Sequence, residues 1–260
     1  MQDRPMKIGD LEILPVLDDA LDVPADVILN KVPHERWLTP AGLMSVQMGG
    51  YLVRVGERRI LVDTGFGNGD LLTNLEALGT PAHEITDVLL THLHFDHIGW
   101  TSDGETPTFA NATYRCDARD WQHYVVEEHD EYMRDMVGAL APKDRLGPVE
   151  GQLELYEGDG SLAPGVDLRS APGHTPGSTV VVLSGGGERA MLMGDVVHCP
   201  AEMLSEGWEM HADVDAKAAA RVREAFAKEL EGTDTLIGAA HFPGLQMGRL
   251  LTGRDWAYQS

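Results

Sequence analysis

Three histidines and one aspartate fall within six positions in the segment Thr91-His92-Leu93-His94-Phe95-Asp96-His97-Ile98-Gly99. His92 and His94 are two residues apart, so their side chains point to the same side wherever the segment is extended. Asp96 and His97 follow at the point where we expect a strand to give way to a loop and then a helix. Imidazole nitrogens beside a carboxylate suit zinc, ahead of iron, nickel or manganese. The segment therefore predicts that two sets of metal ligands share one rim of the fold.

Four other segments supply residues that would complete such a site. They are Leu61-Val62-Asp63-Thr64-Gly65, Pro172-Gly173-His174-Thr175-Pro176-Gly177-Ser178, Met193-Gly194-Asp195 and Ala240-His241-Phe242-Pro243. In this order, and together with the cluster His-x-His-x-Asp-His, they resemble the signature of the metallo-β-lactamase superfamily. The resemblance covers roughly residues 47–244. It implies an α+β fold, namely a four-layer αβ/βα sandwich with the metals at one edge.

The resemblance implies two divalent metal ions, with Zn²⁺ as the expected metal. The ligands would form two sets joined by a bridging carboxylate: His92, His94 and His174 for one ion, Asp96, His97 and His241 for the other, and Asp195 between them. Asp63 would hold the loop that carries the ligands in position through hydrogen bonds, without binding metal itself.

The expected chemistry is hydrolysis. Two metal ions would share a hydroxide that opens a lactone or an ester, because coordination lowers the pKa of bound water towards about 7. The expected catalytic residues are Asp96, Asp195 and His198. Asp96 would accept or relay a proton, and Asp195 would bridge the metals. His198 lies three residues after Asp195, close enough to face the same cavity and to supply a proton to the leaving oxygen.

The complete ligand set and the Gly-Asp-x-x-His segment at residues 194–198 resemble the lactonases and the methyl-parathion-hydrolase-like enzymes. One departure is that acyl-homoserine lactonases commonly place a tyrosine near the metals, whereas His198 is the polar residue that follows Asp195 here. Phosphotriester hydrolysis at the same site is an alternative. So is a glutathione thioesterase, although the basic C-terminal region of those enzymes is reduced here to Arg249 and Arg254. The non-hydrolase alternative is a metal-binding protein or a di-iron redox protein.

Composition limits the partners. The chain has 20 Lys and Arg against 42 Asp and Glu, a formal charge of −22, which repels nucleic acid and anionic membrane surfaces.

No run approaches the 18 apolar residues of a membrane span. Residues 1–10 lack the apolar region of a signal peptide, and Cys116 and Cys199 fit no disulfide pattern, so we expect a cytoplasmic protein with free thiols. The expected partner is a small, partly apolar ester or lactone; relatives also suggest a homodimer.

The pattern of elements predicts one domain over residues 1–260. Residues 1–45 would form an N-terminal extension that contributes to the substrate pocket, together with residues around Trp100, Trp121, Met203 and Trp208. Hairpins are predicted at Gly56-Glu57 and at Gly185–Gly187, where turn residues separate apolar runs. Apolar side chains at helical spacing predict helices over 70–78 and 215–230, and a less regular helical region over 117–137.

Overall fold

Two seven-stranded β-sheets form the centre of the structure, a computed structural model that describes residues 5–129 and 131–259. In chain order the strands are β1 (Met6–Ile8), β2 (Leu11–Val23), β3 (Met44–Val55), β4 (Arg58–Val62), β5 (Asp87–Leu89), β6 (Ser102–Asp103), β7 (Thr106–Pro107), β8 (Thr113–Asp117), β9 (Leu153–Tyr156), β10 (Gly160–Ala163), β11 (Val166–Ser170), β12 (Thr179–Gly185), β13 (Glu188–Leu192), β14 (Leu236–Gly238), β15 (Gly248–Leu251) and β16 (Asp255–Tyr258). The first sheet has the order β1-β2-β3-β4-β5-β8-β9 and the second runs from β10 to β16 in sequence, while β6 and β7 form a separate ribbon.

Helices cover the outer face of each sheet. They are α1 (Leu71–Ala77), α2 (Phe95–Ile98), α3 (Ala118–Asp120), α4 (Arg134–Val137), α5 (Pro142–Leu146), α6 (Ala201–Leu204) and α7 (Ala216–Leu230). Val53 and Leu192 belong to the apolar layer between the two sheets. Leu75 of α1 packs on the outer face of the first sheet, and Phe226 of α7 packs on that of the second. The predicted four-layer αβ/βα sandwich is therefore confirmed.

The turn and helix predictions are confirmed where local sequence decides the conformation. Val55 pairs with Arg58 across the first hairpin, and Gly185 pairs with Glu188 across the second. Asp215 caps α7, since its side chain accepts a hydrogen bond from the backbone N–H of Ala218 at 2.9 Å. The single helical region expected over 117–137 is wrong in detail: α3 continues into a π-helical turn, Trp121–Val126, and α4 is a separate element.

The parallel strand pairs bring the metal-binding segments together. Strands β4 and β5 are parallel, as are β13 and β14, so their carboxyl ends lie at the same edge of each sheet. Asp63 comes directly after β4, His92 follows β5, Asp195 follows β13 and His241 follows β14. These loops therefore converge at one end of the sandwich, as ligand-binding loops do at the carboxyl ends of parallel strands.

One glycine allows two of these loops to touch. Gly194 has a φ of +50°, and a Cβ built on it would lie 2.9 Å from Oγ1 of Thr91. A larger residue would clash there and would also be strained in the left-handed region. The close approach places Asp195 beside the histidine cluster. Within the described part of the chain, no helix combines the length and the apolar character that crossing a membrane requires.

Candidate metal centre

Two neighbouring groups of side chains can each hold a metal ion. Within each group, the potential ligand atoms all lie within 4.8 Å of one another. The members are His92, His94, His174 and Asp195 in the first group, and Asp96, His97 and His241 in the second. All are buried except Asp96, which is partly exposed. The structure thus brings together the seven residues that the sequence pattern assigned to two metal sites.

The three histidines of the first group point their nitrogens at one another. Nε2 of His92 lies 3.1 Å from Nδ1 of His94, and Nε2 of His174 lies 3.0 Å from the same atom. The rings of His92 and His174 stand nearly perpendicular to that of His94, at 82° and 87°. Three rings therefore present nitrogen atoms to one point instead of stacking face to face.

Asp195 lies between the two groups. Its Oδ1 is 3.1 Å from Nε2 of His97, and its Oδ2 is 3.0 Å from Nε2 of His241. The same Oδ2 lies 3.6 Å from Nε2 of His174. Asp96 approaches from the other side, with Oδ2 at 3.6 Å from Nε2 of His241. A single carboxylate is thus within reach of both groups, as a bridging ligand must be.

Hydrogen bonds to the outer nitrogens decide which ring atoms carry protons. Nδ1 of His97 faces Oδ2 of Asp63 at 2.9 Å, and Nδ1 of His174 faces Oδ1 of Asp213 at 3.0 Å. Nδ1 of His241 faces the backbone oxygen of Gln47 at 2.6 Å. Carbonyl oxygens and ionised carboxylates only accept hydrogen bonds, so each Nδ1 is the donor. In the neutral rings, Nε2 is left with a lone pair that points into the site.

The proton position on His92 is set through Thr91. The Thr91 hydroxyl donates to Oδ2 of Asp63 at 2.8 Å, so its oxygen accepts the Nδ1 proton of His92, 3.1 Å away. Asp63 also accepts the backbone N–H of Thr91 at 2.8 Å. Asp63 holds a left-handed conformation with φ of +61°, which is uncommon for a residue other than glycine. One carboxylate therefore orients two histidines and the loop that carries them.

These lone pairs fit a pair of cations. Nε2 of His97 and Oδ1 of Asp195 are buried, 3.1 Å apart, and neither has a hydrogen-bond partner. Two facing acceptors repel unless a proton or a metal ion stands between them. Burial lowers the pKa of His92 and His94 well below its usual range, which keeps both rings neutral. Burial raises the pKa of Asp195, but His241 and His97 outweigh burial and hold it well below its usual range. Burial lowers the pKa of His97, but Asp195 and Asp63 outweigh burial and raise it well above its usual range, so an ion bound there takes the place of a proton. Neutral imidazoles around a carboxylate are the donor set that Zn²⁺ prefers.

A tyrosine that the sequence analysis missed contacts the first group. The hydroxyl of Tyr124 lies 2.9 Å from Nε2 of His94, the nitrogen that faces away from the other histidines. Burial raises the pKa of Tyr124, so the phenol stays neutral. Tyr124 belongs to the π-helical turn, 30 residues from His94 along the chain. No motif marks it, and only the packing of this turn against the histidines reveals its position.

His198 contacts the carboxylate of Asp195. Its Nε2 is 3.2 Å from Oδ2 of Asp195, and its Nδ1 is 3.5 Å from Oε2 of Glu202. Burial lowers the pKa of His198, but the two carboxylates outweigh burial and raise it to about 10. Glu202 is fixed in turn, since it accepts the backbone N–H groups of His198 at 2.6 Å and Cys199 at 2.8 Å. His198 is not among the described residues that line the neighbouring cavity.

A buried arginine connects the two sides of the site. Nε of Arg223, on α7, lies 3.3 Å from Oε1 of Glu202, and one of its terminal nitrogens lies 4.0 Å from Oδ2 of Asp213. Arg223 also donates to the backbone oxygens of Val196 at 2.8 Å and Trp208 at 2.9 Å. One positive charge thus faces the carboxylates that contact His198 and His174. No motif marks Glu202, Asp213 or Arg223, and Arg223 reaches the two carboxylates only through the packing of α7.

A cavity of about 240 Å³ opens onto His94, Asp96 and Asp195. Its walls are mainly apolar: Leu21, Val23, Ile28, Val46, Met48, Phe66, Phe95, Tyr132, Met133, Val137, Met210 and Ala212. The N-terminal stretch contributes three of these side chains. Met210 and Ala212, close to Trp208 in the sequence, also line the cavity. Trp100, Trp121 and Met203 themselves pack against the hydrophobic core, and Trp208 lines a different depression.

The match to a family model decides the classification. Residues 50–241 match the model of the metallo-beta-lactamase superfamily. The chain belongs to the metallo-beta-lactamase superfamily. This match includes the seven clustered residues and runs from the middle of β3 to the loop after β14.

Relatives within the superfamily are distant. The chain is 26% identical to an N-acyl homoserine lactonase of Bacillus cereus over 175 residues, which is 58% of this chain and 63% of the relative. The chain thus spans less than two thirds of the length of the curated relatives it matches. Among solved structures, the dizinc quorum-quenching lactonase AidC, in complex with a product N-hexanoyl-L-homoserine, is 25% identical with a TM-score of 0.81, covering 99% of this chain and 97% of that one. The hydrolase AbOPH is 22% identical with a TM-score of 0.83, covering 98% and 95%.

Proposed function

We propose that this member of the superfamily hydrolyses a lactone or ester with an apolar acyl chain, using two divalent metal ions, Zn²⁺ in the first instance. One observation carries the proposal: the apolar cavity opens directly onto the metal ligands His94, Asp96 and Asp195. A substrate whose acyl chain fills this cavity presents its carbonyl group to the metal-binding residues. The names of the relatives, an acyl homoserine lactonase and a dizinc lactonase, support the same substrate class.

The two groups of ligands described above would hold the two ions. When bound, such ions polarise a substrate carbonyl and lower the pKa of water towards about 7. The protein's own contribution is to fix the donor atoms in advance. Asp63, Asp213 and the carbonyl of Gln47 set the ring orientation of three histidines, as the hydrogen-bond partners of metal-ligating histidines do.

Asp96 is the acidic side chain best placed for proton transfer. It lines the cavity and is partly exposed, whereas Asp195 is held between His97 and His241. A carboxylate in this position accepts the proton that attacking water loses and returns it to the leaving oxygen. His198 contacts Asp195 and does not line the cavity, so we assign it a positioning role on that carboxylate. The apolar walls exclude bulk water from the acyl chain.

A substrate panel tests the proposal. Zinc-loaded protein is assayed with an N-hexanoyl homoserine lactone, a γ-lactone, an aryl ester, a phosphotriester and a glutathione thioester. We expect turnover of the lactones or the ester, reduced at least about 100-fold in Asp96→Asn and unaffected in Asp103→Asn, an exposed aspartate outside the site. Turnover of the phosphotriester alone, or full lactone turnover in Asp96→Asn, would overturn the assignment.

We also propose a cytoplasmic location and a homodimer. Cys116 and Cys199 are buried and free, as is usual in a reducing compartment. Met136 is 82% exposed and Leu140 is 51% exposed, so α4 and the segment after it present apolar side chains that a second copy can cover. Cell fractionation tests the location. Analytical ultracentrifugation tests the assembly, and a single species at the 28.3 kDa of one chain would contradict it.

A further inference from the structure

A third group of side chains that could hold a metal ion lies outside the central site. It consists of His123, Glu127 and His129, whose potential ligand atoms lie within 4.8 Å of one another. His123 is partly buried on the π-helical turn, while Glu127 and His129 are exposed just after it. None of the three belongs to the superfamily motifs, and none lines the apolar cavity. They are therefore free of the role proposed for the central residues.

The three side chains already face one another. The rings of His123 and His129 stack 4.1 Å apart, at 19° to each other, so the exposed His129 ring has to rotate before both rings present nitrogens to one ion. Oε2 of Glu127 lies 3.1 Å from Nε2 of His129, and its Oε1 accepts a hydrogen bond from Gln122 at 3.0 Å. The backbone N–H of His129 donates to the carbonyl of His123 at 3.2 Å, which closes the turn. The backbone therefore keeps the three donors within reach of one ion.

The electrostatics of this group favour a cation. Burial, and then the neighbouring His129, lower the pKa of His123, so its ring is neutral and has a lone pair to offer near neutral pH. Glu127 supplies a negative charge beside the two rings. The protein as a whole carries a formal charge of −22, which raises the local concentration of cations at its surface.

We propose that His123, Glu127 and His129 bind a third divalent transition-metal ion, with zinc as the best match to two imidazoles and a carboxylate. Water completes the coordination, because the group is open to solvent. With three protein donors at the surface, this site is weaker than the central one. An ion here would fix His129 against the π-helical turn. Tyr124, the residue after His123 in that turn, contacts His94 of the central site.

Metal stoichiometry tests the proposal. The full chain is dialysed against zinc buffered from nanomolar to tens of micromolar, and bound metal per chain is measured by mass spectrometry. The variants are wild type, His123→Ala/His129→Ala and a matched control, His83→Ala, which removes an exposed histidine outside any cluster. We expect wild type and the control to bind one more ion per chain than the double variant. Equal stoichiometry in all three would overturn the proposal.

A second readout does not depend on the number of central ions. Cu²⁺ added to zinc-loaded protein is followed by electron paramagnetic resonance. We expect a signal with coupling to two nitrogens in wild type and in Glu127→Gln, where it forms at higher copper concentration, and its loss in the double variant. An unchanged signal in the double variant would refute the site. The difference between variants stays informative even if the central site proves to have another function.

Discussion

The Tyr124 hydroxyl lies 2.9 Å from Nε2 of His94, while Nδ1 of the same ring faces His92 and His174. In the first group, His174 faces the carboxylate of Asp213, whereas the outer partner of His92 is the Thr91 hydroxyl and that of His94 is the Tyr124 hydroxyl. The Tyr124 hydroxyl can donate or accept, so it fixes the orientation of the ring without adding a charge. The identity of residue 124 therefore bears on how firmly the first metal is held.

Replacing this hydroxyl tests that role. We expect Tyr124→Phe to lower zinc affinity by roughly 10- to 100-fold, the scale reported for partners of metal-ligating histidines. Competition with a fluorescent chelator measures the change. Tyr258→Phe is the control, because Tyr258 is partly exposed and its ring packs on Trp37 and Trp256 away from the site. Equal affinities in the two variants would show that Tyr124 does not stabilise the metal-bound state.

Asp63→Asn should weaken the binding of the metal ion held by Asp96, His97 and His241. Asp63 accepts three hydrogen bonds, two of them at Oδ2 from Thr91 and His97. An amide nitrogen in place of Oδ2 would oppose two donors and would disturb the proton position on His97. We expect the variant to lose roughly 10- to 100-fold in affinity for one of two ions. Bound zinc after dialysis measures this, with Asp103→Asn as the surface control. Two fully retained ions would contradict the expectation.

Arg223→Met should destabilise the fold. Arg223 is 3% exposed and faces Glu202 and Asp213, so its loss leaves buried carboxylates without a compensating charge. Breaking a buried ion pair in this way costs about 3–5 kcal/mol. The free energy of unfolding in urea measures the loss. Adding Glu202→Gln removes one uncompensated charge, so we expect the double variant to recover part of it. Strict additivity of the two substitutions would argue against a coupled pair.

The stability of the first sheet should depend on pH through Asp87. Burial raises the pKa of Asp87, but hydrogen bonds from Arg58, Thr86 and Arg115 outweigh burial and lower it. A carboxylate whose folded pKa is lowered stabilises the protein above its unfolded pKa, about 3.9, and this contribution is lost as pH falls through the folded value. Asp87→Asn should therefore lower the free energy of unfolding by about 1–3 kcal/mol at pH 7, and by progressively less as the pH falls below about 4. The free energy of unfolding is measured for both proteins across this pH range. A difference between variant and wild type that does not change with pH would refute the prediction.

Local sequence predicts the parts of this fold that depend on neighbouring residues. The hairpins at residues 56–57 and 185–187 follow from glycine between apolar runs, and α7 follows from helical spacing after Asp215. The region 117–137 resists such prediction, because a π-helical turn gains its stability from tertiary contacts rather than from its own sequence. The four-layer arrangement was accessible through the order of the motifs and the family that they resemble.

The site divides in the same way. The grouping of the metal-binding residues could be predicted because each lies in a short motif at the end of a strand. Their orienting partners could not, since Tyr124, Asp213 and Arg223 reach the site only through packing of distant elements. The cavity walls show the same limit. Aromatic residues suggested a pocket around Trp121, but that side chain, on the π-helical turn, packs on the core, whereas Met48 of β3 lines the cavity.

The size of the cavity should limit the length of the acyl chain that the protein accepts. Ile28 lines the wall contributed by the N-terminal stretch, in a cavity of about 240 Å³. Tryptophan at this position would occupy the space of several methylene groups, each worth about 0.8 kcal/mol when buried. We expect Ile28→Trp to raise KM for long acyl chains at least about tenfold while leaving short chains little changed. Val32→Trp, at a position 62% exposed, is the control. Steady-state kinetics over a series of chain lengths makes the comparison, and an equal effect on all lengths would place the acyl chain elsewhere.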